Sequence, residues 1–333
     1  MSKTIIPCGY KSSLSLYDTQ IAIGKMKRLF EDELSKVLNL KRVSAPLIVF
    51  PHTGTNDDLS GAILQRPVEF DIKEIKGENA QIVQSLAKWK RMALHHYNFP
   101  LDEGIYADMN AIRRDDEIDN THSIYVDQWD WEKIIAPESR NLDYLKSTVT
   151  SIVDAICDTA EELSGCVRLT RTVKFITSQE LEDMYPGLNP DEREHAITKE
   201  FKTVFIMQIG SKLKQGKPHG DRAPDYDDWQ LNGDLLFWSD VLERAMELSS
   251  MGIRVDPATL DNQLTIAGCD ARRTLTYHKE LLEGNLPLTI GGGIGQSRLS
   301  MLLLGKAHIG EVQVSVWDSE TIAACKAAGV ELL

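Results

Sequence analysis

Residues 291–304, GGGIGQSRLSMLLL, restrict the fold of this chain more than any other stretch. Glycines run straight into an apolar helix, so a strand with no Cβ atoms must turn sharply into that helix. Two common nucleotide-binding arrangements are excluded. A dinucleotide fingerprint needs a third glycine where Arg298 stands, and a phosphate-binding P-loop needs Gly-Lys-Ser/Thr at its end. An arginine at the start of the helix stays charged and can fork onto two phosphate oxygens. Gly293-x-Gly295-x-x-Arg298 therefore reads as a nucleoside-triphosphate site with its own arginine clamp. By itself it reads more readily as a tight strand-to-helix turn.

The periodicity around the motif predicts interleaved helices and strands. Ile23, Met26, Phe30, Leu34 and Val37 recur in steps of three or four and predict a long amphipathic helix over 14–37. LKRVSAPLIVF (40–50) reads as a strand interrupted at Pro46, which places it at an edge or an interface. A polar loop over 52–61 precedes a strand at 68–72, and 81–97 reads as a helix or a strand-to-helix unit. Residues 105–135 have hairpin character, and 142–163 form a further amphipathic helix. Strand 173–181 leads into a helix, and helix 190–202 precedes strand 203–210. The polar stretch 211–234 reads as a long loop, followed by strands 235–240 and 247–255 and a helical region over 256–283. With hairpins prominent and no domain boundary visible, the expectation is one mixed α+β domain over 1–333 on a largely antiparallel sheet.

Three pieces carry the chemistry. The first is the glycine motif. The second is 112–132, where a strand-end arginine, Arg113, precedes a polar turn and then Gln128-x-Asp130-x-Glu132. Alternate strand residues share a face, so these three line one side while Trp129 and Trp131 take the other. Polar side chains on a shared face beside an arginine suit a substrate floor. The third is ELSSMGIR (247–254), in which Glu247 can hold Mg2+ on phosphates and Arg254 can grip a carboxylate.

Composition narrows the function. Lys+Arg is 37 and Asp+Glu is 50, for a net charge of −13, which disfavours a nucleic-acid binder but not a local basic pocket. No apolar run approaches a membrane span, and MSKTIIPCGYKSSLSLYDTQ lacks a signal-peptide core, so a cytoplasmic chain is expected. The five cysteines (8, 157, 166, 269, 325) are scattered and include no C-x-x-C pair, which suggests buried hydrophobes rather than a zinc site. His95-His96 reads as a surface pair.

In their order the three pieces resemble the signature motifs of class II aminoacyl-tRNA synthetases, closest to the aspartate and asparagine enzymes. SLAKWKR (85–91), YVDQWDWE (125–132), RAPDYDDW (222–229), LNGD (231–234), ELSSMGIRVD (247–256) and GGGIGQSRL (291–299) are similar to ammonia-dependent asparagine synthetases, the short aspartate–ammonia ligases, from about 10 to 330. The resemblance implies a class II synthetase-like catalytic core without an RNA-reading domain. It implies asparagine formation from aspartate, ATP and ammonia through a β-aspartyl adenylate, with AMP and pyrophosphate released. It also implies Mg2+ and a homodimer through the Pro46 strand and its helix.

The same resemblance distributes roles. Arg113 would stabilise the α-phosphate, Arg298 would hold the γ-phosphate, and Gly293 and Gly295 would flank ATP. Glu247 is the first Mg2+ candidate, Asp234 the second and Asp240 the third by spacing. Lys90, Arg222 and Arg254 are the cations for aspartate's carboxylates. Gln128, Asp130 and Asp227 would hold the amino group or ammonia, and Ser249 and Ser250 would serve the acyl centre. Thr53 stands where an acidic residue is expected, with Asp57 or Asp58 as substitutes, and Val126 stands where an adenine-stacking aromatic is expected. Glutamine-dependent synthetases expose a cysteine immediately after the initiator methionine, where this chain has Ser2, so ammonia is the expected donor. Rival readings are a synthetase-like paralogue with a macromolecular acceptor and a non-catalytic regulatory subunit.

Overall fold

A computed structural model describes residues 4–57, 65–163 and 167–333. Among them an eight-stranded sheet forms the centre: β1 (Leu40–Arg42), β5 (Gly104–Ile112), β6 (Tyr125–Ile134), β11 (Thr289–Gly295), β10 (Arg244–Arg254), β9 (Asp227–Ser239), β8 (Thr203–Met207) and β7 (Lys174–Thr177), in that spatial order. Only the outer pairs β1–β5 and β7–β8 are parallel; the six strands between pair antiparallel. A small sheet of β2 (Ile48–Val49), β3 (Glu69–Ile72) and β4 (Ile75–Ile82) stands beside it. This is the expected α+β architecture on a mainly antiparallel sheet.

One face of the large sheet is the apolar core. Helix α1 (Leu16–Leu38) buries Ile23, Met26, Phe30 and Leu34, as its spacing predicts, and Ser15 caps it by accepting from the Asp18 amide. Helix α3 (Leu142–Glu162) packs against α1 and buries Leu145, Val149, Ile152 and Ile156. Trp129 and Trp131 are fully buried in this core, so the alternation in β6 sends Gln128, Asp130 and Glu132 to the opposite face.

Around that opposite face lie α2 (Ala87–His96), α4 (Ser178–Met184), α5 (Pro190–Phe201), α6 (Pro257–Ala267) and α7 (Thr276–Leu282). Helix α8 (Gln296–Leu304) leaves β11 directly at Gly295, the strand-to-helix turn read from the glycine motif. Helix α9 (Ser319–Ala327) closes the chain and has no counterpart among the expected elements.

Some expectations are corrected. The interrupted strand 40–50 is two separate strands, β1 and β2, because Ala45 and Pro46 fall between them and β2 joins the small sheet. Residues 81–97 are the strand-to-helix alternative, the end of β4 followed by α2. The loop expected over 211–234 ends in strand: β9 begins at Asp227. Its first residues, DDWQLNGD, are polar yet largely buried, so they lack the apolar alternation that marks a strand. His95 and His96 are exposed, as expected. Cys157 and Cys325 are buried, Cys8 is exposed, and Cys166 lies outside the described residues.

Candidate active site

The polar face is organised by register. Asp234 of β9 lies opposite Ser250 of β10, Ser250 opposite Gly293 of β11, and Gly293 opposite Asp130 of β6. Directly opposed residues share a face, so one row across four strands gathers three predicted site residues around a glycine. A second row runs Asn232, Gly252, Gly291, Glu132. A bulge in β10 between Glu247 and Ser249 shifts the alternation by one residue. Glu247 and Ser250, three apart, therefore both face the site. Ser249 lies opposite Ile294 and Leu235, which belong to the apolar core, so it presents backbone rather than hydroxyl to the site.

Above these rows opens a cleft of about 1000 Å³. Arg113, Gln128, Asp234, Glu247, Ser249, Ser250, Gly293, Gly295 and Arg298 all line it, and so does Val126. Arg298 lies in the first turn of α8. Its Nη1 donates to the Glu247 carbonyl at 2.9 Å and its Nε to the Thr121 carbonyl at 3.3 Å. Arg113 follows β5 and donates through Nε to the Gln84 carbonyl at 3.2 Å.

Lys90, Asp130, Arg222, Asp227 and Arg254 lie behind the cleft wall in a buried ionic network. Arg254 binds the Glu132 carboxylate at 2.8 Å and also pairs with Asp227, while Thr289 donates to Glu132 at 2.7 Å. Lys90 pairs with Asp130 and donates to the Gly292 carbonyl at 3.0 Å. Arg222 joins Ser250 and, at 2.6 Å, Asp234. The glycines make this packing possible. A Cβ on Gly291 would collide with the Glu132 and Arg254 side chains, and one on Gly293 with the Gln128 amide. The room above β11 thus serves side chains of neighbouring strands as well as the cleft.

Burial sets the charge states. Desolvation lowers the Lys90 pKa, and Asp130 only partly offsets it. Burial works against ionised Glu132, yet Arg254 holds its carboxyl below the usual range. Asp227 goes the other way, raised by burial despite Arg254 and Arg222. Glu247 is raised by desolvation between the cleft walls and then by the neighbouring Asp234.

A pair of neighbouring carboxylates suits a divalent cation. Among the described residues no three His, Cys, Asp or Glu side chains converge into a protein-only metal cage. Mg2+ is ordinarily held by one or two carboxylates together with phosphates and water, so Asp234 and Glu247 fit it. Asp240 sits exposed in the β9–β10 turn, away from this pair and outside the cleft lining.

Among the described residues, the buried side-chain atoms at this face without a hydrogen-bond partner include Asp130 Oδ2, Arg222 Nε, both amide atoms of Gln84 and, in the cleft wall, His219 Nδ1. Asp57 is buried and close enough to Tyr226 to raise its pKa, after burial itself. Asp58 lies outside the described residues. The cleft wall also includes Arg244 and the buried His219, which no sequence motif singles out. His219 bonds Glu194 at 3.0 Å. Neither stands at a recognisable spacing from the motifs; only tertiary packing brings them in.

The fold is that of class II aminoacyl-tRNA synthetase cores. Asparaginyl-tRNA synthetase from Pyrococcus horikoshii, in complex with asparaginyl-adenylate, superposes with a TM-score of 0.64 at 18% identity, over 89% of this chain and 68% of that one. The Entamoeba histolytica asparaginyl-tRNA synthetase gives 0.63 at 15% identity, over 90% and 67%. Sequence is more specific. Residues 17–329 match the aspartate-ammonia ligase family, and the chain belongs to that family. The aspartate–ammonia ligase of Lactobacillus johnsonii is 56% identical over 335 residues, covering 99% of both chains. That of Clostridium perfringens (strain 13) is 57% identical over 338 residues, covering 100% of both.

Proposed function

We propose that this enzyme amidates L-aspartate with ammonia to L-asparagine, using ATP and passing through a β-aspartyl adenylate. The observation that carries the reading is the cross-strand row Asp234, Ser250, Gly293, Asp130 beneath a cleft walled by Arg113 and Arg298, in a chain of the aspartate–ammonia ligase family. A free carboxylate is a poor acyl donor because oxide is a poor leaving group. Attack of the β-carboxylate on the α-phosphorus expels pyrophosphate and gives an acyl-AMP. Ammonia then attacks the acyl carbon and AMP leaves. Positioning and charge neutralisation carry the rate.

In this reading Arg113 neutralises charge growing on the α-phosphate, and Arg298 holds the far phosphate with Gly293 and Gly295 beside ATP. Asp234 and Glu247 would hold Mg2+, which when bound would neutralise phosphate charge. Arg222 grips a substrate carboxylate with its unpartnered Nε, and Ser250 lies at the acyl centre. Lys90 and Arg254 supply positive charge from behind the wall, and Asp227 is held by Arg254. Gln128 and Asp130 receive the amino group or incoming ammonia. The free Asp130 oxygen takes the proton when ammonium is the entering form. Asp57 takes the part of the acidic residue missing at Thr53. Ligand atoms satisfying the orphaned polar groups would remove a cost of about 1–3 kcal/mol each.

A homodimer through α1 and the Pro46 segment is part of the same proposal, supported by exposed Tyr17, Ile21, Leu47 and Ile48. Among the described residues no helix is long and apolar enough to cross a membrane, and a cytoplasmic location accords with the chemistry. The decisive assay supplies Mg-ATP, aspartate and ammonium, with glutamine replacing ammonium in parallel. Asparagine with stoichiometric AMP, in the ammonium reaction alone, is the expected result. ADP as the product would replace the adenylate with an acyl phosphate. Aspartate-dependent pyrophosphate exchange without asparagine would point to another acceptor.

A further inference from the structure

The β5–β6 turn, residues 113–124, carries Thr121, whose carbonyl receives the Arg298 Nε proton. What fixes that turn is the residue before it. Asn120 is 3% exposed, and its side chain ties three distant parts of the chain together. Its Oδ1 accepts from the Ile5 amide at 2.8 Å, and its Nδ2 donates to the Ile5 carbonyl at 2.9 Å and to the Ala307 carbonyl at 2.7 Å. Its own carbonyl accepts from the Ile309 amide at 2.8 Å. The N-terminal segment is itself anchored beyond Ile5. Tyr10 donates to Glu311 at 2.9 Å, and Lys306 donates to Ser12 at 2.7 Å and Thr19 at 2.8 Å.

Asp119 completes the arrangement from the other side. Its Oδ1 accepts from the Thr121 amide at 2.7 Å and the His122 amide at 2.9 Å. Thr121 is thus held between an internal turn and an external staple. Arg298 in turn has Nε and Nη1 fixed by main-chain carbonyls, while Nη2 has no hydrogen-bond partner among the described residues. A guanidinium is planar, so two fixed nitrogens set the direction of the third.

We infer that Asn120 is a positioning residue for Arg298, and that the N-terminal segment acts through it to aim that cation at the polyphosphate. The inference rests on the reading of Arg298 as a phosphate ligand. The Asn120 hydrogen bonds run to Ile5, Ala307 and Ile309 and to none of the residues assigned to aspartate, so its loss is felt on ATP and not on aspartate.

The test is Asn120→Asp, which keeps shape and acceptor but removes both donors. Mg-ATP affinity is measured by titration calorimetry in wild type, N120D, R298A and the double variant, with kcat and both KM values alongside. N120D weakens ATP by about tenfold, leaves the KM for aspartate within about twofold, and adds nothing further in the R298A background. Unchanged ATP affinity in R298A would defeat the reading of Arg298 itself. Weakened ATP in R298A but not in N120D, or effects of the two substitutions that simply add, would overturn the inference alone. If N120D does not fold, Asn120→Ser takes its place in the same cycle, since the readout is ATP against aspartate rather than stability.

Discussion

Arg298 donates through Nη1 to the main-chain carbonyl of Glu247 at 2.9 Å, while the Glu247 carboxylate stays 4.0 Å from the same nitrogen. The strand that offers the carboxylate proposed for Mg2+ thus also fixes the arginine proposed for phosphate. Because the carbonyl makes the close contact, the arginine charge is not spent on a tight ion pair. In the proposed reading, Arg298 and a cation held at Glu247 would act on the same triphosphate from two sides.

Arg298→Lys keeps a charge but loses the planar fork that two carbonyls hold. The KM for ATP should rise roughly tenfold and Arg298→Ala should raise it further, each losing a charge-assisted contact. The KM for aspartate should change little. Initial rates over a matrix of both substrates check this.

Glu247→Gln should raise the Mg2+ concentration needed for half-maximal rate and should stabilise the ligand-free protein near neutral pH. The sign follows from the raised Glu247 pKa, caused by desolvation and then Asp234. A carboxyl whose folded pKa lies above its unfolded value contributes less stability as pH rises through that interval. Its amide has no such loss. With 44% of the side chain open to water, the gain is small, and it should vanish toward acid pH. Thermal melts across pH without Mg2+, for wild type and E247Q, give the comparison.

Arg254→Met should destabilise the fold by about 3–5 kcal/mol, because it leaves buried Glu132 and Asp227 without their common cation. Denaturant unfolding of the variant measures the loss. A change below about 1 kcal/mol would mean the two carboxyls protonate at little cost.

Asp225 should contribute to the acid limb of stability. Burial opposes its charge, yet Lys88, a His278 hydrogen bond and Arg272 hold its pKa well below the usual carboxylate range. A depressed folded pKa contributes stability above the unfolded value of 3.8, and that contribution is lost as pH falls below it. Asp225→Asn should therefore lower stability at neutral pH and flatten its decline in acid. Unfolding free energies from pH 7 to pH 3 report both effects.

Tyr17 and Ile21 are exposed apolar side chains on α1, 75% and 56% open. In a homodimer through this helix, Tyr17→Glu combined with Ile21→Glu should yield monomers in sedimentation equilibrium. A dimer that survives both charges would move the interface elsewhere.

Local periodicity determined much of this protein. The spacing of Ile23, Met26, Phe30 and Leu34 set the buried stripe of α1, and alternation in β6 separated Trp129 and Trp131 from Gln128, Asp130 and Glu132. The glycine run turned into α8 where it had to. These features depend on residues a few positions apart, which is the range over which a sequence speaks directly. Residues 227–234 read as loop because a strand buried against a polar site carries no apolar alternation to mark it. The bulge that puts Glu247 and Ser250 on one face, the Lys90–Asp130 pair and the Asn120 staple were decided only by the tertiary structure. Each depends on which distant backbone or charge lies opposite, and burial makes such partners matter most while leaving no local trace of them.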